Sequence, residues 1–321
     1  MAGNSTSVVL AALFANGAIA ILKFGGFVLT GSPAMLAETY HSISDTGNQV
    51  FLLIGIRYGG RERDRDHPFG YGKAQFFYSF LVSVFLFGIA GWESAKHGYE
   101  AVMHGETTAV EGAVTIPVVA AEIPGIWVNY SVLLGGIVFE TWALVKARAA
   151  MQAEIEEKGY SGYVEAFRKT SRTTILTALT EDTIALAGLG IALLGIFLTR
   201  WTGNYIFDAS AALLIGIMLM GFALALAWEN KRLILGESLP DDEEQKLRAT
   251  ITETDGVASI VGLRTVYFGP EEVLVTADVS FEPDLDAETV ERRIDEMETR
   301  IRERNPDIGK IYVEPDGERA A

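Results

Sequence analysis

The sequence predicts a mainly α-helical membrane protein, six transmembrane helices followed by a small cytoplasmic α+β domain. Three observations predict it. Residues 1–235 hold six apolar runs, each about the ~20 residues that a bilayer-spanning helix needs. Hydrophobic residues make up 49% of the 321, which suits several spans plus a polar part. Residues 236–321 then change character, with 23 Asp and Glu against 10 Lys and Arg and with short strand and helix patterns.

The runs fall at about residues 8–29, 34–58, 74–99, 126–149, 173–198 and 205–228. Residues 1–7 carry no Lys or Arg, so the first run is expected to be a retained span rather than a secretory signal. Thr30-Gly31-Ser32-Pro33 and Thr202-Gly203-Asn204 read as tight turns. Between spans two and three lie Arg61, Arg63, Arg65 and Lys73. Between spans four and five, a polar helical stretch holds Lys146, Arg148, Lys158, Arg168, Lys169 and Arg172. Lys231 and Arg232 follow span six, while the loops after spans one and three have no basic residue. The positive-inside rule then puts both termini in the cytoplasm, and the cell (inner) membrane is the expected location.

The tail, residues 236–321, reads α-β-β-α-β. Ser238, an early Pro240 and an acidic first turn signal a helix running to about residue 254. Residues 260–268 and 273–281 read as strands. In the second, Val273, Val275, Ala277, Val279 and Phe281 alternate with polar positions. Asp286 can cap a helix whose apolar stripe is Val290, Ile294, Met297 and Ile301, and residues 310–313 form a last short strand. This order fits helices on one face of a sheet.

Composition excludes several functions. There is no cysteine, which removes disulfides, thiolate zinc sites and thiol redox chemistry. The net charge of −16, concentrated in the tail, argues against a nucleic-acid partner. With four histidines, His41, His67, His97 and His104, any metal site must lean on carboxylates.

Span two carries Glu38, His41 and Asp45 on one helical face, and a His and an Asp one turn apart can grip one metal ion. At about 1.5 Å per residue, Asp45 lies roughly 17 Å down its helix and Asp182 of span five roughly 14 Å up its own. Glu140 is near the middle of span four, and Glu181 precedes Asp182. Ionisable groups are costly at such depth and mark ion paths. Carboxylate and imidazole bind divalent ions and also take up protons, so ion and proton can compete for one site. If that site faces each side in turn, the competition becomes antiport. Lys23 of span one can pair with Glu38 or snorkel outward, and Asn48, one turn beyond Asp45, is a supporting residue. Asp208 opens span six as a helix cap or gate.

Two segments, Ala37-Glu38-Thr39-Tyr40-His41-Ser42-Ile43-Ser44-Asp45 and His67-Pro68-Phe69-Gly70-Tyr71-Gly72-Lys73, together with the acidic tail resemble the cation diffusion facilitators. The resemblance covers essentially the whole chain. It implies a six-span homodimeric transporter that moves zinc or a related divalent ion out of the cytoplasm in exchange for protons. It also implies a ferredoxin-like, metallochaperone-like tail. On this resemblance the transport site takes His41 and Asp45 from span two and Asp182 from span five. The family's usual histidine on span five is Ala178 here. The pair Glu181-Asp182 is similar to the mitochondrial-type zinc exporters, and Glu181 or Glu140 can complete the shell. One imidazole among carboxylates is a hard donor set that admits manganese, iron or cobalt beside zinc. The resemblance further implies an accessory metal site in the loop, of which Asp64 and His67 remain while Tyr71 stands at the second histidine position. The tail has no histidine. No prosthetic group is implied; the metal is cargo, with protons and the bilayer as the other partners.

Two other classes remain open. A membrane scaffold or metal sensor would bind the ion without moving it. An intramembrane metal hydrolase would need a base and a catalytic water, and its usual His-Glu-x-x-His signature is absent.

Overall fold

The computed structural model describes residues 2–104, 113–116, 121–170, 173–270 and 272–316. Arg172 of the basic stretch before span five lies outside them. In order the elements are α1 (Ala2–Thr30), α2 (Pro33–Gly59), α3 (Lys73–Phe85), a π-helical segment (Leu86–Gly91), α4 (Trp92–His104), β1 (Ala113–Ile116), β2 (Ala121–Pro124), α5 (Gly125–Lys158), α6 (Tyr163–Lys169), α7 (Thr173–Thr202), α8 (Ile206–Leu235), α9 (Asp241–Thr252), β3 (Val257–Gly269), β4 (Glu272–Phe281), α10 (Ala287–Arg304) and β5 (Ile308–Pro315). The protein is a mainly α-helical, multi-pass membrane protein with a separate helix-and-sheet unit. Among the described residues, four helices are long and apolar enough to cross a bilayer: Lys73–His104, Gly125–Lys158, Ala178–Thr202 and Ile206–Leu235. Asn16–Thr30 is a shorter apolar helix. α2 is as long, but its polar load, Glu38, His41, Asp45 and Asn48 among it, keeps it out of that set.

Contacts divide the chain into two compact units, residues 1–55 with 78–230, and residues 56–77 with 231–321. In the first, the turn between α1 and α2 shows why the chain reverses there. Gly31 takes a positive φ of 66°, which costs glycine little. Ser32 Oγ then accepts the Met35 amide at 3.2 Å, and Pro33 starts the helix where its missing N–H is not needed. Asp208 caps a helix other than its own: its Oδ1 accepts the Ala34 amide of α2 at 3.3 Å. The amide of Ile206, at the start of α8, is met instead by Asn204 Oδ1.

The third apolar run is interrupted by its π-helical segment, which the sequence gives no reason to expect. From its last residue onward, one seam faces α8. A Cβ on Gly98 would stand 2.3 Å from the Leu213 amide nitrogen, and one on Gly216 2.3 Å from that of Ala95. Gly91 is as tightly placed, its Cβ position 2.6 Å from the Met220 side chain. Small residues let the two backbones touch, the usual device for packing helices in lipid, where apolar burial gives no gain. The mixed stretch after α4 holds a small antiparallel hairpin, with Ala113 opposite Pro124.

In the second unit, β3 pairs antiparallel with β4, and β4 pairs parallel with β5. Val273, Val275, Ala277 and Val279 of β4 are all buried, and they pack with Leu247 and Ile251 of α9 and Met297 and Ile301 of α10. Period-two and period-3.6 patterns thus meet on one face. Asp286 caps α10 by accepting the Thr289 amide at 2.9 Å. Ser238 does not cap α9. That helix starts at Asp241 behind Pro240, whose carbonyl accepts the Glu243 and Glu244 amides at 2.9 Å. The proline fixes an extended entry, so the chain turns into the helix later than the Ser-x-Pro pattern suggests.

The glycine seam gives a direct prediction. Gly98→Ala and Gly216→Ala each force backbones apart and should cost about 1–3 kcal/mol, the usual range for overpacking. Gly135→Ala and Gly190→Ala meet nothing within 4 Å and should be neutral or stabilising. Thermal unfolding of the four variants in detergent separates the pairs; equal midpoints would refute the seam.

Candidate metal centre

The site is built from α2 and α7, and α3, the π-helical segment and α8 wall its cavity. On α2, His41 and Asp45 stand one turn apart, with His41 Nδ1 3.5 Å from Asp45 Oδ1. Both are buried. The helix satisfies its neighbouring hydroxyls internally: Thr39 donates to the Met35 carbonyl and Thr46 to that of Ser42, each at 2.8 Å. Among the described residues neither His41 ring nitrogen has a hydrogen-bond partner, and a buried polar atom left that way costs about 1–3 kcal/mol. An imidazole so placed fits a ligand that supplies what the protein does not.

Asp45 and Glu181 line one cavity of about 10 Å³ with Ser44, Asn48, Val82, Leu86, Phe222 and Leu226. That volume is near the ~10–15 Å³ that holds a single water, and a dehydrated divalent ion is no larger. Asn48 Nδ2 donates to Glu181 Oε2 at 2.7 Å, which fixes one carboxylate oxygen. Asp45 from α2 and Glu181 from α7 thus face the same small space. Four polar and four apolar residues line the cavity, so a cation held there would meet the Asp45 and Glu181 carboxylates.

Asp182, the α7 carboxylate that the resemblance favours, does not line this cavity. The next residue round the helix is turned ~100° away, and Glu181 takes the facing position. Asp182 is half-buried, within electrostatic range of buried Glu140 on α5. Among the described residues no three His, Asp or Glu side chains converge closely enough to hold a metal ion. The structure therefore brings His41 to Asp45, and Asp45 to Glu181 and Asn48, and leaves Glu140 and Asp182 as a second acidic pair. Only the Asn48–Glu181 bond and the choice of Glu181 were beyond the sequence. The signal for them is spacing: Asn48 lies three residues past Asp45 and shares its face.

Lys23 and Glu38 form a fully buried ion pair, Nζ to Oε2 at 2.8 Å, with 1% and 0% of the side chains exposed. The other carboxylate oxygen of Glu38 rests against α7, where a Cβ on Gly188 would lie 2.6 Å from it. The pair thus ties α1 to α2 and seats both on α7. His97 is bonded to the Glu93 carbonyl at 2.9 Å and packs against Tyr40, away from the cavity.

In the second unit, the loop after α2 carries Asp64 and His67. Asp64 is already engaged. Tyr71 donates its hydroxyl to Asp64 Oδ2 at 2.6 Å, and the His67 amide donates to Oδ1 at 2.7 Å. His67 stacks on Tyr71 with ring centroids 4.0 Å apart. The Tyr71 hydrogen bond, then the His67 amide, hold the Asp64 carboxyl below its ordinary range. The same bond pushes the Tyr71 phenol up to about 12. A depressed carboxyl stabilises the loop above the ordinary carboxylate range, and that help is lost as pH falls through the lowered value.

Two predictions follow from these pairs. Lys23→Met strands a buried carboxylate and should cost about 3–5 kcal/mol, while Lys23→Met with Glu38→Gln should recover most of it. Thermal unfolding of the single and double variants tests this, and an unaffected single variant would refute a structural pair. Tyr71→His supplies a second imidazole beside a released Asp64. Zinc titration should show one more site in it than in the parent protein. Loss of a tight zinc site on changing Asp64→Ala in the parent would show that the loop already binds metal.

Residues 9–235 match the family model described as the cation efflux transmembrane domain, and residues 239–317 match that of the cation efflux protein, cytoplasmic domain. Curated relatives include the mitochondrial proton-coupled zinc antiporter SLC30A9. The Xenopus laevis protein is 25% identical over 344 residues, covering 96% of this chain and 59% of its own length. The Homo sapiens protein is 28% identical over 275 residues, covering 86% and 46%. The cation-efflux pump FieF of Klebsiella pneumoniae (strain 342) is 26% identical over 261 residues, covering 81% and 76%. The chain thus spans about half the length of the first two. With both family domains matched in order, and with buried carboxylates of the transmembrane unit gathered at a water-sized cavity, the chain belongs to the cation efflux family, the cation diffusion facilitators, which are secondary transporters of divalent cations and not enzymes.

Proposed function

We propose that this protein exports a divalent cation, zinc first among manganese, iron and cobalt, in exchange for protons. The observation that carries the proposal is the cavity that Asp45 and Glu181 line together, one helical turn from the buried His41. Two carboxylates facing one small space in a low-dielectric surrounding repel each other strongly. A metal ion removes that repulsion, and so does a proton, so the two compete for the site. His41, one turn along the helix, joins the shell as the ion arrives. Asn48 keeps one Glu181 oxygen directed, and Glu140 with Asp182 forms a neighbouring acidic step. The name of the SLC30A9 relatives, a proton-coupled zinc antiporter, supports the exchange and the choice of zinc. Six spans with both termini in the cytoplasm, alternating access around the cavity, and a homodimer joined through residues 236–321 complete the reading. The dimer is supported by the match of the tail to the family's cytoplasmic domain.

The test is metal uptake into proteoliposomes under an imposed pH gradient. Asp45→Asn and Glu181→Gln should each lower zinc flux by at least about tenfold, the loss of about 1.4 kcal/mol or more of ion binding. Asp182→Asn should lower it less. Unchanged flux in Asp45→Asn would remove the proposed site. Flux that ignores the pH gradient would remove the proton coupling, and zinc binding with no flux in the parent protein would favour a sensor.

A further inference from the structure

The basic stretch between spans four and five has a structure that the transport reading does not use. α5 does not stop at the membrane boundary. Trp142 is exposed on it, and Lys146 Nζ lies over the Trp142 ring at 3.9 Å, a pairing of the kind that marks the bilayer–water interface. The helix then continues to Lys158, where Gly159 ends it at a positive φ of 70°. The chain folds back as α6. Buried Ala166 packs with Met151 and Ile155 of α5 and Leu176 of α7. Tyr163 sits beside Arg148, whose guanidinium is 6.0 Å from the ring, and its hydroxyl reaches Gln152 at 3.4 Å.

These contacts set the depth of α6. Arg148 and Gln152 lie roughly 3 Å and 9 Å beyond Lys146 along the helix. The headgroup layer is about 5–8 Å thick on each side of the hydrocarbon. α6 therefore starts at headgroup level, with Tyr163 beside Arg148, and runs to the outer edge of that layer, with Ala166 against Ile155. There it turns three apolar side chains outward, Tyr163 40%, Val164 71% and Phe167 41% exposed. The stretch around it, residues 146–172, has six Lys and Arg against four Glu, in a chain whose net charge is −16. Outward apolar groups with surrounding basic charge are what an anionic membrane surface binds.

We infer that α6 is an interfacial anchor: Tyr163, Val164 and Phe167 insert into the headgroup–acyl boundary, and the basic residues of 146–172 favour anionic lipid there. The partner is the lipid surface itself. Anchoring would hold the α5–α7 connection at a fixed depth while the helices around the cavity rearrange.

The absence of cysteine permits a clean test. Single cysteines replace Val164, Phe167, Val138 or Gln245 in the full chain, are labelled with an environment-sensitive fluorophore, and are reconstituted in neutral vesicles with and without anionic lipid. Val138, 72% exposed on the apolar part of α5, reports lipid, and exposed Gln245 of α9 reports water. Labels at 164 and 167 should be quenched by brominated lipid several-fold more than the label at 245, and more so with anionic lipid. Two outcomes overturn the inference. In one, labels at 164 and 167 respond to aqueous quencher as the label at 245 does. In the other, they are shielded from both quenchers and couple between copies, which would make α6 a protein–protein contact. The label at 138 keeps a failed anchor distinct from a failed reconstitution.

Discussion

A charge at membrane depth must be compensated, and the transmembrane unit follows from how it meets that need. One carboxylate, Glu38, is given a fixed lysine at 2.8 Å. The pair is strongly bound only because both groups are shut away from water, and the same enclosure makes each indispensable to the other. Around it α1, α2 and α7 take their positions, with Gly188 leaving room for the Glu38 carboxylate. Asp45 and Glu181 are treated differently. They face each other at a cavity, where compensation has to come from something that arrives. On the proposed function, Lys23 is the resident cation that serves the structure, and the cavity receives the visiting one.

The accessory loop shows the same economy in reverse. Where the family resemblance implies a metal held by Asp64 and two histidines, a phenol and a backbone amide now occupy Asp64. The loop is also packed on the sheet of its own unit. A Cβ on Gly72 would fall 2.4 Å from the Phe268 carbonyl oxygen, Phe69 packs on Phe268, and Arg63 pairs with Glu272 at 2.5 Å. Protein contacts thus order the loop.

How much of this was legible depended on the period of the signal. The acids of α2 and α7 stand out in sequence because lipid tolerates so few, and the alternating strand β4 and the capped helix α10 follow from local rules. The choice between Glu181 and Asp182 was not legible. Neighbouring residues differ by ~100° on a helix, and only packing sets the helix's rotation. The start of α9 was misplaced because Pro240 delays it. The Tyr71–Asp64 bond could be guessed as a missing histidine but not as a replacement contact. The hairpin Ala113–Ile116 with Ala121–Pro124 is too short to leave a pattern.

The π-helical segment at Leu86–Gly91 settles a conflict of phase. Val82 and Leu86 line the cavity, with Phe222 and Leu226 of α8 opposite. Gly91, Ala95 and Gly98 meet α8 further along, at Met220, Gly216 and Leu213. On an unbroken α-helix, nine residues of ~100° each would leave Val82 and Gly91 on opposite sides. The wider turn takes up roughly one residue, which cuts that separation from ~180° to ~80° and turns both stretches toward α8. One extra residue per turn thus lets a single helix keep its cavity wall and its backbone-to-backbone seam on one partner. Shortening the segment by one residue should therefore be absorbed as ordinary α-helix, whereas a deletion between Trp92 and Ser94 would swing Ala95 and Gly98 off α8.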